Sequence, residues 1–310
     1  MTEGLEKQEG LEKKRLVLID GNAILHRAYH ALPALTTRNG ELVNAVYGFS
    51  LMLFKIFSDL HPEYLAVSFD TAAPNFRHSE FVGYKANRPR MDSELVGQIE
   101  KVHELVRAFN IPIVELDGYE ADDVVATLAK QAGKTQNLET VIVTGDKDLM
   151  QLVGDKVKLY MPTRGLSEGQ IVGVEEVKEK MGVLPEQIAD YKGLVGDQSD
   201  NYPGVPGIGP KTATALLEKF GTIEDVYRRL GEIESKTVLD KLALGAESAV
   251  LSKKLAKTLT DVPVSLDLKD CVARDYDKEK VKAFFKELGF RSLVGRLGGE
   301  AERKESKKIT

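Results

Sequence analysis

The sequence predicts an α/β fold, a mostly parallel central sheet flanked by helices, with an all-helical region after it. Short apolar runs alternate with helical patterns from Arg15 to about Tyr160, and beyond about Val174 the pattern is helical with short turns. The chain has 310 residues, 42% of them apolar and 29% charged, which is enough for one large domain or two smaller ones. In order, LVLID (16–20) reads as a strand, AVYGFSLMLFKIF (45–57) as a helix and YLAVSFD (64–70) as a strand. A helix follows near Ser93 to Phe109, then the strand IPIVEL (111–116), a helix opening in GYEADDVVATLAK (118–130) and the strand TVIVTGD (140–146). Strands alternating with helices in this way pair in parallel. PEQIADYKGLV, PKTATALLEKF, ESAVLSKKLAKTL and KEKVKAFFKEL then read as helices. The organisation expected is a charged tail (1–14), an α/β domain (15–173), a helical subdomain (174–297) and a second charged tail (298–310).

One cysteine, Cys271, allows no internal disulfide and no thiolate zinc site, which fits a reducing cytoplasm. The first residues lack the apolar core of a signal peptide, and no run approaches the ~20 apolar residues of a membrane helix. Secretion and membrane insertion are therefore not expected. The net charge of −5 does not exclude a nucleic-acid partner, because a whole-chain sum hides acids and bases segregated onto different surfaces.

Charge read locally is more informative. Glu120, Asp122 and Asp123 crowd the start of one helix. Helix capping accounts for one or two acids, and a third adds repulsion, so the excess points to a cation nearby. Three strand candidates end in acids, at Asp20, Asp70 and Asp146. In an open parallel sheet, ligands gather beyond the carboxyl ends of the strands, so these acids share one edge with Glu120. Asp148 joins Asp146 on one face if the chain stays extended, and Asp197 and Asp200 face one way if their turn is helical. Any single one of these reads equally well as a turn or cap residue; together they read as ligands of cations. Oxygen donors without His or Cys indicate Mg²⁺ or Mn²⁺, and calcium storage is disfavoured because no stretch has the EF-hand spacing. Two such ions about 3.5–4 Å apart activate water and stabilise the leaving oxygen at a phosphodiester, the chemistry of a nuclease or phosphatase.

Two further motifs favour nucleic acid. GVPGIGPKTATALLEKF (204–220) places Gly204, Gly207 and Gly209 at a tight turn before a helix carrying Lys211 and Thr212, where backbone N–H groups can approach a phosphate. It is neither a Walker A loop nor a dinucleotide fingerprint. It resembles the helix-hairpin-helix element that grips a nucleic-acid backbone, with simple capping by a Gly-rich turn as the alternative. FRHSEFVGYKANRPR (76–90) interleaves Arg77, Lys85, Arg88 and Arg90 with Phe76, Phe81 and Tyr84, a composition suited to single-stranded nucleic acid. On its own the segment could equally be a solvated basic loop, but it follows Asp70 closely and so brings positive charge to the rim of the acidic site.

VLIDGNAILHRAYHAL, FDTAAPNFRH, GYKANRPRM, GYEADDVVATLA, VTGDKDLMQLV and GDQSDNYPGVPGIGPKTA, in that order, resemble the 5′ nuclease domain of bacterial DNA polymerase I, in the flap endonuclease family, from about Arg15 to Leu297. The resemblance implies a PIN-like α/β fold with a helical arch (about 76–109) over the active site and a helix-hairpin-helix subdomain beside it. It implies hydrolysis of DNA at 5′ flaps, 5′ ends and single-strand/double-strand junctions, with Asp20, Asp70, Glu120, Asp122, Asp123, Asp146, Asp148, Asp197 and Asp200 at the metal positions. Lys85 and Arg88 match the catalytic cations at the base of the arch. Arg77, Tyr84, Gly204, Gly207, Gly209, Lys211 and Thr212 are the expected DNA contacts. Two or more Mg²⁺ or Mn²⁺ ions, a monovalent cation at the hairpin, a monomeric state and a polymerase module fused or recruited complete the expectation; the chain itself ends before any such module. A PIN-type ribonuclease and a non-catalytic DNA-binding adaptor are the alternatives. The first leaves the hairpin motif unexplained and the second the acids.

Overall fold

The computed structural model describes residues 13–166 and 168–297. The expected charged tails lie outside these residues except for 13 and 14, and Lys14 already opens a strand. Six strands form one sheet: β1 (Lys14–Asp20), β2 (Tyr64–Ser68), β3 (Ile113–Val114), β4 (Leu138–Val143), β5 (Val157–Arg164) and β6 (Glu168–Val172). Their order is β3-β2-β1-β4-β5-β6, parallel throughout except that β6 runs antiparallel to β5. The mostly parallel sheet expected from the alternation is thus present. β1 sits at its centre because its apolar run is continuous: Leu16 and Leu18 pack on one face and Val17 and Ile19 on the other, all fully buried.

The helices are α1 (Gly21–Ala31), α2 (Asn44–Leu60), α3 (Phe76–Glu80), α4 (Ser93–Ala108) and α5 (Ala121–Ala132) in the first part of the chain. They continue with α6 (Val174–Met181), α7 (Ile188–Val195), α8 (Pro210–Phe220), α9 (Ile223–Arg228), α10 (Lys236–Leu244), α11 (Ala246–Ala256) and α12 (Lys278–Glu287). α2 and α4 cover one face of the sheet with Phe49, Phe54, Phe57, Val102 and Phe109, whereas α5 covers the other with Val124, Val125 and Leu128. α2, α4 and α5 each bury the apolar residues that recur at helical spacing.

Two features were not foreseen. The β5–β6 hairpin closes one side of the sheet, and Gly169 makes it possible, since a Cβ there would lie 2.1 Å from the Tyr160 ring. The other is the course of the chain after α11. The Leu65 N–H donates to the Cys271 carbonyl at 2.7 Å and the Ala273 N–H to that of Glu63 at 2.8 Å, so this segment pairs beside the start of β2. Val281 and Phe285 of α12 then enter the same core as Phe54, Phe57 and Phe109. The region 174–297 is therefore not one separate helical body: α12 belongs to the α/β core, because its apolar stripe finds the aromatic side chains of α2 there.

Candidate active site

Adjacent strands deliver the first acids. Asp20 ends β1, Asp70 lies two residues past β2 and Asp146 three past β4, on the two sides of β1. Capping and site-building coincide here. Asp20 accepts the Ala23 N–H at 3.0 Å, starting α1, and the Thr144 hydroxyl at 2.7 Å. Asp70 accepts the Ala121 N–H at 2.7 Å, capping α5 from across the crevice, while its own N–H donates to Asn22 Oδ1 at 2.9 Å. Glu120 occupies the N-cap of α5 and Asp122 its first turn.

These carboxylates repel one another. Burial first, then the charges of Asp146 and Asp70, push Asp20 up to about 7 despite its two hydrogen bonds. Burial, then Asp20, Asp146, Glu120 and Asp70, push Asp122 well above the usual carboxylate range. Asp70 opens to the crevice, yet the protein enclosing it desolvates it enough to raise it too, with Glu120 adding to the rise against the Ala121 N–H. Neither Asp20 nor Asp122 has a cationic side chain among the causes acting on it, a charge imbalance characteristic of functional sites. An all-oxygen donor set with uncompensated negative charge fits a hard divalent cation. Among the described residues no three such side chains are drawn together as a ready-made ligand group.

The second acidic group is balanced by cations. Lys192 bonds Asp148 and, at 2.6 Å, Asp197 Oδ2. Burial opposes it, but Lys192 and the Ser199 hydroxyl hold Asp197 at about 2, whereas burial and Asp146 keep Asp148 at about 7 against Lys192. Asp148 does not continue an extended chain: its N–H donates to Asp146 Oδ1 at 2.8 Å and it starts a 3₁₀ turn, so the two acids meet across an Asx turn. The Asp197–Asp200 turn is likewise not helical. Asp197 and Tyr202 exchange backbone hydrogen bonds of 2.9 and 3.0 Å, and Asp197 Oδ1 accepts the N–H groups of Ser199 and Asp200.

Residues 76–92 bridge from α5 to this loop. Lys85 donates its N–H to the Asp200 carbonyl at 2.9 Å, Asn87 Nδ2 donates to the Gln198 carbonyl at 2.7 Å, and Asn201 Nδ2 donates back to that of Gly83 at 2.7 Å. Of the expected arch only α3 and α4 are helical; turns fill the span between. Lys85 Nζ lies 2.7 Å from Glu120 Oε1, and Arg88 pairs with Asp200. Lys85 has φ +53°, a left-handed conformation costly for a non-glycine residue and held here by the contacts on both sides. Burial notwithstanding, Lys85 and Arg77 keep Glu120 below the usual range.

Three residues stand elsewhere than the sequence placed them. Arg77 is 3% exposed and forms a two-pronged bond with Asp123, at 2.7 and 2.8 Å, while also donating to the carbonyls of Leu255 and Lys257. It has no free face for a phosphate, and Asp123, fully buried, is committed to Arg77 and the Leu259 N–H rather than to an ion. The cause is charge complementarity between α3 and α5, which spacing along the chain cannot reveal. Tyr84 is buried too, its hydroxyl 3.2 Å from both Glu120 Oε2 and Asp200 Oδ2, so it bridges these carboxylates instead of stacking on a base. Arg77→Ala leaves Asp123 buried without its cationic partner and should cost about 3–5 kcal/mol, read as a lower urea midpoint at unchanged slope.

At the hairpin, Gly204 has φ +62°, and a Cβ on it would meet the Gly196 backbone at 2.2 Å, so no other residue fits. Gly209 precedes α8, Pro210 takes its first position, Lys211 is exposed and Thr212 half-buried in the first turn. Lys241 donates to the Gly207 carbonyl at 2.9 Å and adds a cation the sequence did not single out. Lys192 and Asn75, whose Nδ2 holds Glu120 Oε1 at 2.7 Å, were also missed.

Against this geometry, residues 15–182 match the family described as 5′-3′ exonuclease, N-terminal resolvase-like domain, and 183–279 match 5′-3′ exonuclease, C-terminal SAM fold. DNA polymerase I of Bacillus caldotenax is 44% identical over 293 residues, covering 94% of this chain and 33% of that protein. The enzyme of Bacillus subtilis is 42% identical over 298 residues, 95% of this chain and 34% of that one. The chain thus spans about a third of the length of these relatives. Among solved structures, the T5 D15 protein co-crystallised with metal ions superposes with a TM-score of 0.67 at 20% identity, covering 91% of this chain and all of that one. The catalytic core of Rad2 in complex with a DNA substrate gives 0.59 at 19%, covering 93% and 94%. Both are likenesses of fold.

Proposed function

Since the chain belongs to the 5′-3′ exonuclease family, we propose that it is a structure-specific 5′ nuclease, cutting phosphodiester bonds in DNA at 5′ flaps, 5′ ends and single-strand/double-strand junctions with divalent cations. The observation that carries this reading is the group of mutually repelling carboxylates Asp20, Asp70, Asp122 and Asp146 at the sheet edge, with Lys85 paired to Glu120 beside them. The ions, Mg²⁺ or Mn²⁺, would supply charge stabilisation at the scissile phosphate and a lowered pKa for the attacking water.

Each protein group then has a task. Asp20, Asp70, Asp122 and Asp146 would hold one ion, and Asp148, Asp197 and Asp200 a second. Lys85 and Arg88, released from Glu120 and Asp200 by a phosphate, would balance the charge that develops on it. Lys211, Thr212 and the glycine turn at 204–209 would grip duplex backbone without reading its sequence, with a monovalent cation at that turn. A single chain suffices for this division of labour, in the cytoplasm and alongside a fused or separate polymerase module, in primer removal and repair.

The protein incubated with Mg²⁺ and labelled flap, single-stranded and RNA substrates should cut the flap at its junction, lose activity with excess chelator and regain it with Mg²⁺ or Mn²⁺. Full cleavage in chelator, or a preference for RNA, would overturn the assignment.

A further inference from the structure

The two acidic groups differ in how their charge is met. Among the described residues Asp20 is met by an N–H and a hydroxyl, without a cation. Every acid of the second group already has one: Lys192 bonds Asp148 and, at 2.6 Å, Asp197, and Arg88 pairs with Asp200. Lys192 is held in that place by its helix. It lies in the last turn of α7, and the adjoining Gly193 lets α7 sit close against α9 and α11, since a Cβ there would lie 2.6 Å from Ile223 and 3.1 Å from the Ala249 carbonyl. The helix has no room to swing, so Lys192 can leave the acids only by moving its own flexible stem. A space for that movement is present. Lys192, Asp148 and Asp197 line an open cleft of about 580 Å³, which Arg27 and Lys147 line as well. Three cations at one cleft attract a phosphodiester.

We infer that Lys192 is an internal counter-ion that competes with the second divalent ion for Asp148 and Asp197, and that a phosphodiester in the cleft relieves the competition by drawing the ammonium to itself. An ammonium and a divalent cation cannot share the same carboxylates at close range, because like charges repel. The second site is therefore weak in the free protein and strengthened by DNA, and by linkage the second ion strengthens DNA binding by the same factor. An ion on Asp20 and Asp122 meets no such competitor. The two ions thus load in order, and the site is completed only on substrate.

The inference rests on the two-ion reading, and Mn²⁺ titration of the DNA-free protein, followed by paramagnetic resonance or calorimetry, tells their failures apart. The parent should show one strong and one weak class of site. In Lys192→Met, which keeps the buried stem and removes the charge, the weak class should tighten about 10-fold or more and the strong class should not change. Lys192→Arg, which keeps the charge, should bind as the parent does. Lys192→Gln, neutral but still able to donate to an acid, takes the place of Lys192→Met if that variant does not fold. Adding a flap with a non-hydrolysable scissile linkage should tighten the weak class in the parent and much less in the neutral variant, where the competitor is already gone. A weak class that is unchanged or weaker in the neutral variant overturns the competition and leaves Lys192 a support for the acids. An equal gain from DNA in parent and neutral variant, or two equally strong classes in the DNA-free parent, also overturns the inference alone. A parent that binds no Mn²⁺ overturns the ion reading with it.

Discussion

Asp122→Asn should lower single-turnover cleavage of a 5′-flap substrate by about 10³-fold or more, while raising the thermal midpoint of the ion-free protein. The two effects share one cause. Asp122 lies in the first turn of α5, where burial first, and then the charges of Asp20, Asp146, Glu120 and Asp70, push its pKa well above the ordinary value. An ionised carboxylate there opposes folding, and a neutral amide of the same shape removes that repulsion. A divalent ion reverses the sign, since it is bound by negative charge and is worth several kcal/mol to a transition state in which charge accumulates on phosphate oxygens. At 1.36 kcal/mol per decade, the loss of one ligand accounts for the expected drop. Mg²⁺ at 100 times its dissociation constant should stabilise the parent by about 2.7 kcal/mol and the variant by less. Cleavage within about tenfold of the parent, or a lower midpoint in chelator, would remove Asp122 from the ion site.

This opposition of stability and activity also explains what could be read from the chain. The acids at Asp20, Asp70 and Asp146 were legible because each ends a short apolar run, and a parallel sheet puts such ends on one edge whatever the order of its strands. The crowding of Glu120 and Asp122 was legible because capping alone needs fewer acids. Asp123 shows the limit of that logic: it satisfies the same spacing but turns to the buried guanidinium of Arg77, a choice made by the packing of α3 on α5. Lys192 was invisible for the converse reason. In PEQIADYKGLV it reads as a solvent-facing helix position, and only the fold brings Asp148 and Asp197 to it. Asp148 itself was found for a partly mistaken reason, since its chain turns through a 3₁₀ segment instead of staying extended. α12 has the apolar stripe expected of it, but a stripe does not say which core it will join.

Lys85 and Lys211 test whether chemistry and grip are separate. Lys85 is half-buried between Glu120 and Asp200, both of which raise its pKa against the effect of burial, so it is firmly cationic and already beside the acids. Its left-handed backbone and its N–H bond to the Asp200 carbonyl fix it at the crevice before substrate arrives. A cation preorganised next to the scissile phosphate acts mainly on charge that develops in the transition state. Lys85→Ala should therefore lower the single-turnover rate by about 10²-fold or more, with little change in DNA affinity, and saturating substrate should not restore it. Lys211 is exposed in the first turn of α8, away from the acids, and can act only by neutralising a backbone phosphate. Lys211→Ala should weaken binding about equally across DNA sequences and reduce the log–log salt slope by about one unit or less, because one fewer counterion is released. At saturating substrate its rate should return close to that of the parent. If Lys211→Ala were the slower enzyme at saturation, or if Lys85→Ala lost affinity alone, the catalytic cation would lie at the hairpin and the segment at 76–92 would serve only to hold DNA.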